Sequence, residues 1–243
     1  MNGGKIILQN NKMNYHAGFG ITRENLPGLI KNISLLHPDE KTYYDTLKFD
    51  RRKASYLLGR FSAKKAVSEL TNQKNVQSIS IDFGIFRFPV VKNYLDGNIQ
   101  VSISHCDDIG IAFAFPEEHP LGIDIEKVDP DKIEAIKTQI HPNELALISN
   151  CNLPESPGYT IIWTIKESLS KIFRTGLTID FKIMEIKSLE KIDGVYVSTF
   201  CHFGQYKAIT YHSGSYIFSV ALPKNTIPLL DDFWYSLANS IQK

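Results

Sequence analysis

The sequence predicts an α+β fold with antiparallel sheets, on two observations. Helical stretches followed by strand-forming stretches occur twice along the chain, an order that suits α+β packing better than a regular alternation of parallel strands and helices. Several strand-like runs are also joined by turns as short as Cys106-Asp107-Asp108 and Ser213-Gly214, with no helix between them, and only antiparallel neighbours connect so tightly. A chain of 243 residues is ample for one large domain or two modest ones with a real hydrophobic core.

The elements follow in order. From Asp50 to Leu70, the residues Ala54, Leu57, Leu58, Phe61, Val67 and Leu70 recur mostly three to four apart, as on one face of an amphipathic helix. Basic residues, from Arg51 through Lys65, decorate its other positions. Val76 to Asp82, Gln100 to Ser104, Ile109 to Phe115 and Leu121 to Glu126 are short β-branched or alternating runs bounded by Asp, Gly and Pro, and read as strands. The second half predicts helices over Asp131 to Ser149 and Tyr159 to Phe173, then strands near Phe181 to Leu189, Val195 to Cys201, Tyr206 to Tyr211 and Tyr216 to Ala221. Leu229 to Ile241 closes the chain as a helix on which Trp234 packs. No repeat of fixed short period and no low-complexity linker interrupts it.

Composition excludes several function classes. Hydrophobic residues at 43% and charged residues at 22% are those of an ordinary globular protein. With 27 basic against 26 acidic side chains, no global charge draws the chain onto nucleic acid or an anionic membrane, so neither is an expected partner. Cys106, Cys151 and Cys201 are widely spaced and form no CxxC pair, which argues against a disulfide framework and a structural zinc. Met1 to Gly20 holds only a short apolar run, Ile6 to Leu8, and reads as neither signal peptide nor membrane span. The expected location is the cytoplasm, where the sequon-like Asn32-Ile33-Ser34 has no consequence.

Three short segments could carry chemistry. In Gly122-Ile123-Asp124-Ile125-Glu126 the alternation puts Asp124 and Glu126 on one face of a strand and the two isoleucines on the other. Neighbouring carboxylates repel, and a hard divalent cation with oxygen ligands is the natural compensation; the plainer reading is a solvated edge strand. In Trp163 to Lys171, Glu167 and Lys171 stand four apart on one helical face, a spacing that also describes an ordinary surface ion pair. Ser104-His105 ends a strand, where a lone histidine is most often structural. It is no hydrolase site, since no GxSxG elbow is present and strand neighbours point to opposite faces; the SxxK from Ser168 to Lys171 lacks the companion motifs of penicillin-binding enzymes.

In their order and separation, however, these pieces resemble the Sfp-type 4'-phosphopantetheinyl transferases. Ser104-His105, the GIDIE of Gly122 to Glu126, His141-Pro142-Asn143-Glu144, the WxxKESxxK of Trp163 to Lys171 and Gly176-Leu177 carry the resemblance. His37-Pro38-Asp39-Glu40 and the RRKASYLLGR of Arg51 to Arg60 extend it to roughly residues 37 to 222. The resemblance implies two similar α+β halves, residues 1–119 and 120–243, related by pseudo-twofold symmetry with coenzyme A held in the cleft between them. It implies that Asp124, Glu126 and Glu167 hold Mg²⁺, or Mn²⁺, on the coenzyme A diphosphate, with Lys171 reaching the same phosphates; Asp124, Glu167 and Lys171 are then the catalytic set, and Glu167 is also a candidate base. Arg51 and His105 match positions that bind the phosphoadenosine, Ser104 stands beside them, and Glu144 matches an acidic position of supporting role.

The chain departs from the family at two places. Where relatives carry a basic residue before proline, it reads Arg87-Phe88-Pro89, so either Arg87 substitutes from the neighbouring position or the adenine packs on Phe88. Where some relatives carry two phosphate-binding lysines, it has Lys41 and the pair Tyr43-Tyr44, leaving Lys41 as the survivor. The implied activity is transfer of phosphopantetheine from coenzyme A to a serine of an apo-carrier protein, by a monomer. A Mg²⁺-dependent phosphohydrolase and a non-catalytic coenzyme A or carrier-protein binding module are the alternatives; the first needs more ligands than this cluster supplies, and the intact Asp124, Glu167 and Lys171 speak against the second. Carrier domains are usually acidic, and the basic helix from Asp50 could help dock one, although its charges read equally as a solvated face.

Overall fold

A computed structural model of the chain describes residues 1–11, 13–92 and 98–242. They pack as two units, Met1–Pro120 with Ile227–Lys243, and Leu121–Thr226. In chain order the first unit runs β1 (Asn2–Gln9), β2 (Asn14–Arg23), α1 (Leu26–Lys31), α2 (Pro38–Thr46), α3 (Asp50–Thr71), β3 (Ser80–Phe83), β4 (Pro89–Lys92), β5 (Ile99–Cys106) and β6 (Ile109–Pro116). The second runs β7 (Gly122–Lys127), α4 (Ile133–Lys137), α5 (Glu144–Asn150), α6 (Glu155–Phe173), β8 (Ile186–Ile192), β9 (Val195–Phe200), β10 (Tyr206–Ser213) and β11 (Tyr216–Pro223). The chain then returns to the first unit with β12 (Ile227–Pro228) and α7 (Asp231–Ile241). Every strand pair among the described residues is antiparallel, as the short turns predict.

In the first unit, the sheet β12-β1-β2-β6-β5 carries α3 on one face. The helix buries Leu57, Leu58, Phe61 and Val67 of the predicted stripe, half-buries its end members Ala54 and Leu70, and buries Ala63 and Ala66 besides. It lies directly on the backbone of β2: a Cβ at Gly18 would stand 2.1 Å from the carbonyl oxygen of Ala66, so only glycine admits the helix at that distance. In the second unit, α6 lies on the sheet β7-β11-β10-β9-β8, and a Cβ at Gly122 would stand 2.0 Å from the carbonyl oxygen of Ser168. Element for element, β2, α2, α3 and β3 to β6 correspond to β7, α5, α6 and β8 to β11.

The correspondence reaches buried side chains. Glu40, in the first turn of α2, accepts from the backbone N–H of His37 (2.9 Å) and of Ile81 on β3 (2.9 Å), and pairs with Lys64 of α3 at 2.8 Å. Glu144, opening α5, accepts from the N–H of His141 (2.6 Å) and of Ile186 on β8 (2.8 Å), and pairs with Lys166 of α6 at 2.6 Å. The side chains of Lys64, Lys166 and Glu144 are fully buried. Each clamp ties a helix start, a long helix and the first strand of a hairpin into one body.

The structure corrects three sequence expectations. The segment Asp131 to Ser149 is two short helices, α4 and α5, because Pro142 has no N–H to continue a helix and the Glu144 carboxylate caps the chain at His141. The runs beginning at Val76 and Phe181 open as 3₁₀ turns, Val76–Ser78 and Phe181–Met184, before the strands proper. The expected second half, 120–243, ends at Thr226: beyond it β12 pairs with β1 (Leu8 opposite Pro228) and α7 buries Phe233 and Leu237 in the first unit. The Phe233 ring meets Phe19 at 5.3 Å and Phe113 at 4.8 Å, edge-on in both cases, and burying it contributes about 3 kcal/mol. Among the described residues no helix is long and apolar enough to cross a membrane.

Candidate active site

In the second unit, β7 leaves its glycine contact with α6 and places Asp124 two residues on. Ile123 and Ile125 are fully buried, as expected of the core face, but Asp124 between them is buried as well, so the strand is covered on both faces at that point. Asp124 is 6% exposed at its side chain and Glu126 28%, the strand rising toward solvent between them. From α6, Lys171 donates to Asp124 Oδ1 at 2.8 Å and to the carbonyl oxygen of Ile123 at 2.7 Å. Glu167, one turn earlier, feels the charges of Asp124, Lys171 and Glu126. The structure therefore brings together Asp124, Glu126, Glu167 and Lys171, as the motifs imply.

The carboxylates strain one another. Burial pushes Glu167 from 4.5 up to about 7, with the Asp124 charge adding to the rise and Lys171 opposing it. Burial likewise raises Glu126, again helped by Asp124 and opposed by Lys132, whose ammonium lies 3.6 Å away. Among the described residues no group of three or more His, Cys, Asp or Glu side chains is already drawn into a metal-holding arrangement; the Lys171 ammonium stands against Asp124 instead. In donor chemistry the set nonetheless fits a hard divalent cation, being all oxygen and carrying a mutual repulsion that a cation relieves. Beside Glu126 opens a largely apolar cavity of about 210 Å³, walled by Ile136 and Trp163.

The first unit holds a cavity of about 350 Å³ of a different character. Tyr43, Tyr56 and Phe83 give it aromatic walls, Arg52, Arg60 and Arg87 give it cationic ones, and the His105 imidazole lines it as well. The Arg60 guanidinium lies 4.5 Å from the Phe83 ring centre and 4.7 Å from that of Tyr56, while Arg87 stacks on Phe83 at 4.9 Å and donates to the Tyr43 hydroxyl at 2.9 Å. Burial pushes the Tyr56 phenol up to about 12, so it stays a neutral donor. Arg87 reaches the cavity because the hairpin between β3 and β4 turns through it in a left-handed conformation (φ 62°), its N–H donating to Gly84. Phe88 packs over Gly84. Of the two residues weighed at Arg87-Phe88-Pro89, Arg87 lines the cavity and Phe88 is not in its lining.

Among the other expected contacts, His105 lines this cavity while its buried neighbour Ser104 does not. Arg51 is exposed on α3 outside the lining, where Arg52 takes the position instead, and Lys41 is engaged with Asp45 at 2.5 Å. Glu144 proves structural, as one arm of a buried clamp. Sequence reasoning missed Lys166, Arg60 and the aromatic walls. The clamp was legible in principle, since HPDE and HPNE recur at residues 37–40 and 141–144, each followed by a lysine on a long helix. Arg60 stood within a charged run and gave no signal of its own.

Comparison with known proteins agrees with this geometry. Residues 120–221 match the family model described as the 4'-phosphopantetheinyl transferase superfamily, and they include the three acids of the cluster and its lysine. The matched segment is the one that holds the GIDIE and WxxKESxxK motifs on which the resemblance rests. A curated relative, the 4'-phosphopantetheinyl transferase gsp of Aneurinibacillus migulanus, is 29% identical over 126 residues, 51% of this chain and 49% of that protein. The chain thus spans about half the length of the curated relative it matches. Two solved structures show a slight likeness. The holo-(acyl-carrier-protein) synthase of Bacillus anthracis in complex with CoA (3',5'-ADP) has TM-score 0.35 at 21% identity, over 45% of this chain and 96% of that one. The Neisseria meningitidis holo-[acyl-carrier-protein] synthase has TM-score 0.34 at 19% identity, over 41% and 96%.

Proposed function

We propose that the chain transfers the 4'-phosphopantetheine of coenzyme A to a serine hydroxyl of an apo-carrier protein and releases 3',5'-ADP. The observation that carries this reading is the meeting of Asp124, Glu167 and Lys171 within the segment matched to the superfamily. The serine oxygen forms a bond to the β-phosphorus of the diphosphate; the bond from that phosphorus to the bridging oxygen breaks, and the electron pair leaves with 3',5'-ADP. Such a transfer is catalysed mainly by positioning and charge neutralisation.

The residues divide these tasks. Glu167, raised to about 7, is matched to accept the serine proton near neutrality, directly or through a water. Lys171, held between Asp124 and the Ile123 carbonyl, presents its ammonium to the diphosphate. Asp124, Glu126 and Glu167 are the residues that would hold Mg²⁺ or Mn²⁺, which when bound supplies charge neutralisation at the diphosphate oxygens. In the first unit, Arg52 and Arg87 offer cations and His105 a ring N–H to the 3'-phosphate, and the aromatic walls offer faces to the adenine. The cavity beside Glu126 suits the pantetheine arm. We place the protein in a reducing cytoplasm, in which its three free cysteines would persist as thiols.

Mass spectrometry of apo-carrier proteins incubated with coenzyme A, Mg²⁺ and this protein tests the reading. A gain of one phosphopantetheine mass is expected, and Asp124→Ala and Glu167→Ala should abolish it in folded protein. Release of 3',5'-ADP without any carrier would instead identify a hydrolase.

A further inference from the structure

We infer that the buried Lys166–Glu144 pair is a positioning device for Glu167, and through it for the cation site, an inference that rests on the function proposed above. The Lys166 ammonium stands 2.6 Å from Glu144 Oε2 and 3.1 Å from the Gln139 carbonyl oxygen, and neither side chain of the pair is exposed. Glu144 is held in turn by the N–H groups of His141 and Ile186. Lys166 therefore fixes the azimuth of α6 against three separate segments.

On the other side of Glu167, Ser168 presses its carbonyl against Gly122 of β7, and Thr164 accepts from Ser219, the cross-strand partner of Asp124, at 3.1 Å. Glu167 thus sits between two neighbours whose positions are fixed independently. A rotation of α6 that would move its carboxylate away from Asp124 must break either the clamp or the glycine contact.

Stability alone is a poor reason for the pair. Replacing a buried ion pair by apolar side chains of similar volume is often neutral or stabilising, because desolvation offsets the attraction. A metal-binding or catalytic carboxylate, by contrast, must be held to within about 0.5 Å by buried, hydrogen-bonded support. The first unit supplies an internal comparison. Its Glu40–Lys64 clamp is built alike, on the N–H groups of His37 and Ile81, with Arg60 also near Glu40 at 3.8 Å, but the residue after Lys64 is Lys65, ion-paired with Glu69, so no cation ligand depends on it.

The test measures Mn²⁺ binding to the whole chain by electron paramagnetic resonance, alongside kcat and the KM for coenzyme A. Lys166→Met leaves Glu144 charged and buried; should it fail to fold, Glu144→Gln/Lys166→Met, which removes both charges, carries the test. Expected is a folded variant with Mn²⁺ affinity and kcat lowered at least about tenfold and KM for coenzyme A unchanged, a split marking lost transition-state positioning. Glu40→Gln/Lys64→Met, the same change in the first unit, should bind Mn²⁺ as the parent does. A folded second-unit variant whose Mn²⁺ affinity and kcat stay within about twofold of the parent overturns the inference. Equal weakening of Mn²⁺ binding by both double variants also overturns it, since the effect would then be general loosening. A parent chain that neither binds Mn²⁺ nor labels a carrier would instead refute the functional reading itself.

Discussion

Metal-free protein should lose stability as pH rises from about 4.5 to 7, and Glu167 should be the cause. Its carboxyl titrates at 4.5 when unperturbed and at about 7 in the folded chain, mainly through burial and then the Asp124 charge. Between those values the folded state holds a proton that the unfolded state has released, so stability falls with pH. Below about 4.5 the favourable contribution is fully present, and above about 7 it is gone. At 1.36 kcal/mol per pH unit the difference is about 3 kcal/mol at most, a large share of the 5–15 kcal/mol that typically separates folded from unfolded states. Glu126, raised for the same reasons, adds in the same direction. The measurement is urea unfolding in chelator, followed by tryptophan fluorescence, for the parent and Glu167→Gln at pH 4.5 and 8. Trp163, one turn before Glu167 on α6, reports on the second unit. The variant should gain on the parent by up to about 3 kcal/mol between the two pH values, and Mg²⁺ at pH 8 should remove most of that gain by stabilising the parent alone. A parent-to-variant difference that does not change with pH would refute the idea that these acids strain one another.

Two further outcomes follow from the first unit. Arg87→Ala should raise the KM for coenzyme A about tenfold with kcat little changed, the loss of one charge-assisted contact, and steady-state kinetics with dephospho-coenzyme A should show no such penalty. Phe233→Ala should cost about 3–5 kcal/mol in chemical denaturation, because a fully buried ring packed edge-on against both Phe19 and Phe113 is removed.

Periodic elements were readable from the sequence, while those built on small residues were not. The stripe of α3 and the alternation around Asp124 and Glu126 each follow from side chains that repeat with the period of their element. The hairpin of β1 and β2 went unseen because Gly3, Gly4, Gly18 and Gly20 dilute its pattern, although Gly18 is needed for α3 to reach the sheet. In the site, Asp124, Glu167 and Lys171 lie in short motifs; residue type and spacing alone left an edge strand and a surface ion pair as the plainer readings, and it was the order of the motifs along the chain that singled these residues out. Arg52 rather than Arg51 lines the first unit's cavity, a choice that depends on helix azimuth by a single residue. Lys166 stood in the motif beside Glu167 with no role assigned to it. Its burial depends on Glu144, 22 residues away, and on a backbone N–H at Ile186 that no local pattern announces.

The return of residues 227 onward to the first unit makes the second unit an insertion between two parts of the first. During synthesis the ribosome delivers β1 to β6 early but supplies β12 and α7 only after the whole of β7 to β11 has emerged. Until then the Phe19–Phe113 face lacks its cover, so the first unit to begin is the last to finish, and the inserted unit can complete itself while the earlier one waits, its apolar surface open to chaperones or aggregation.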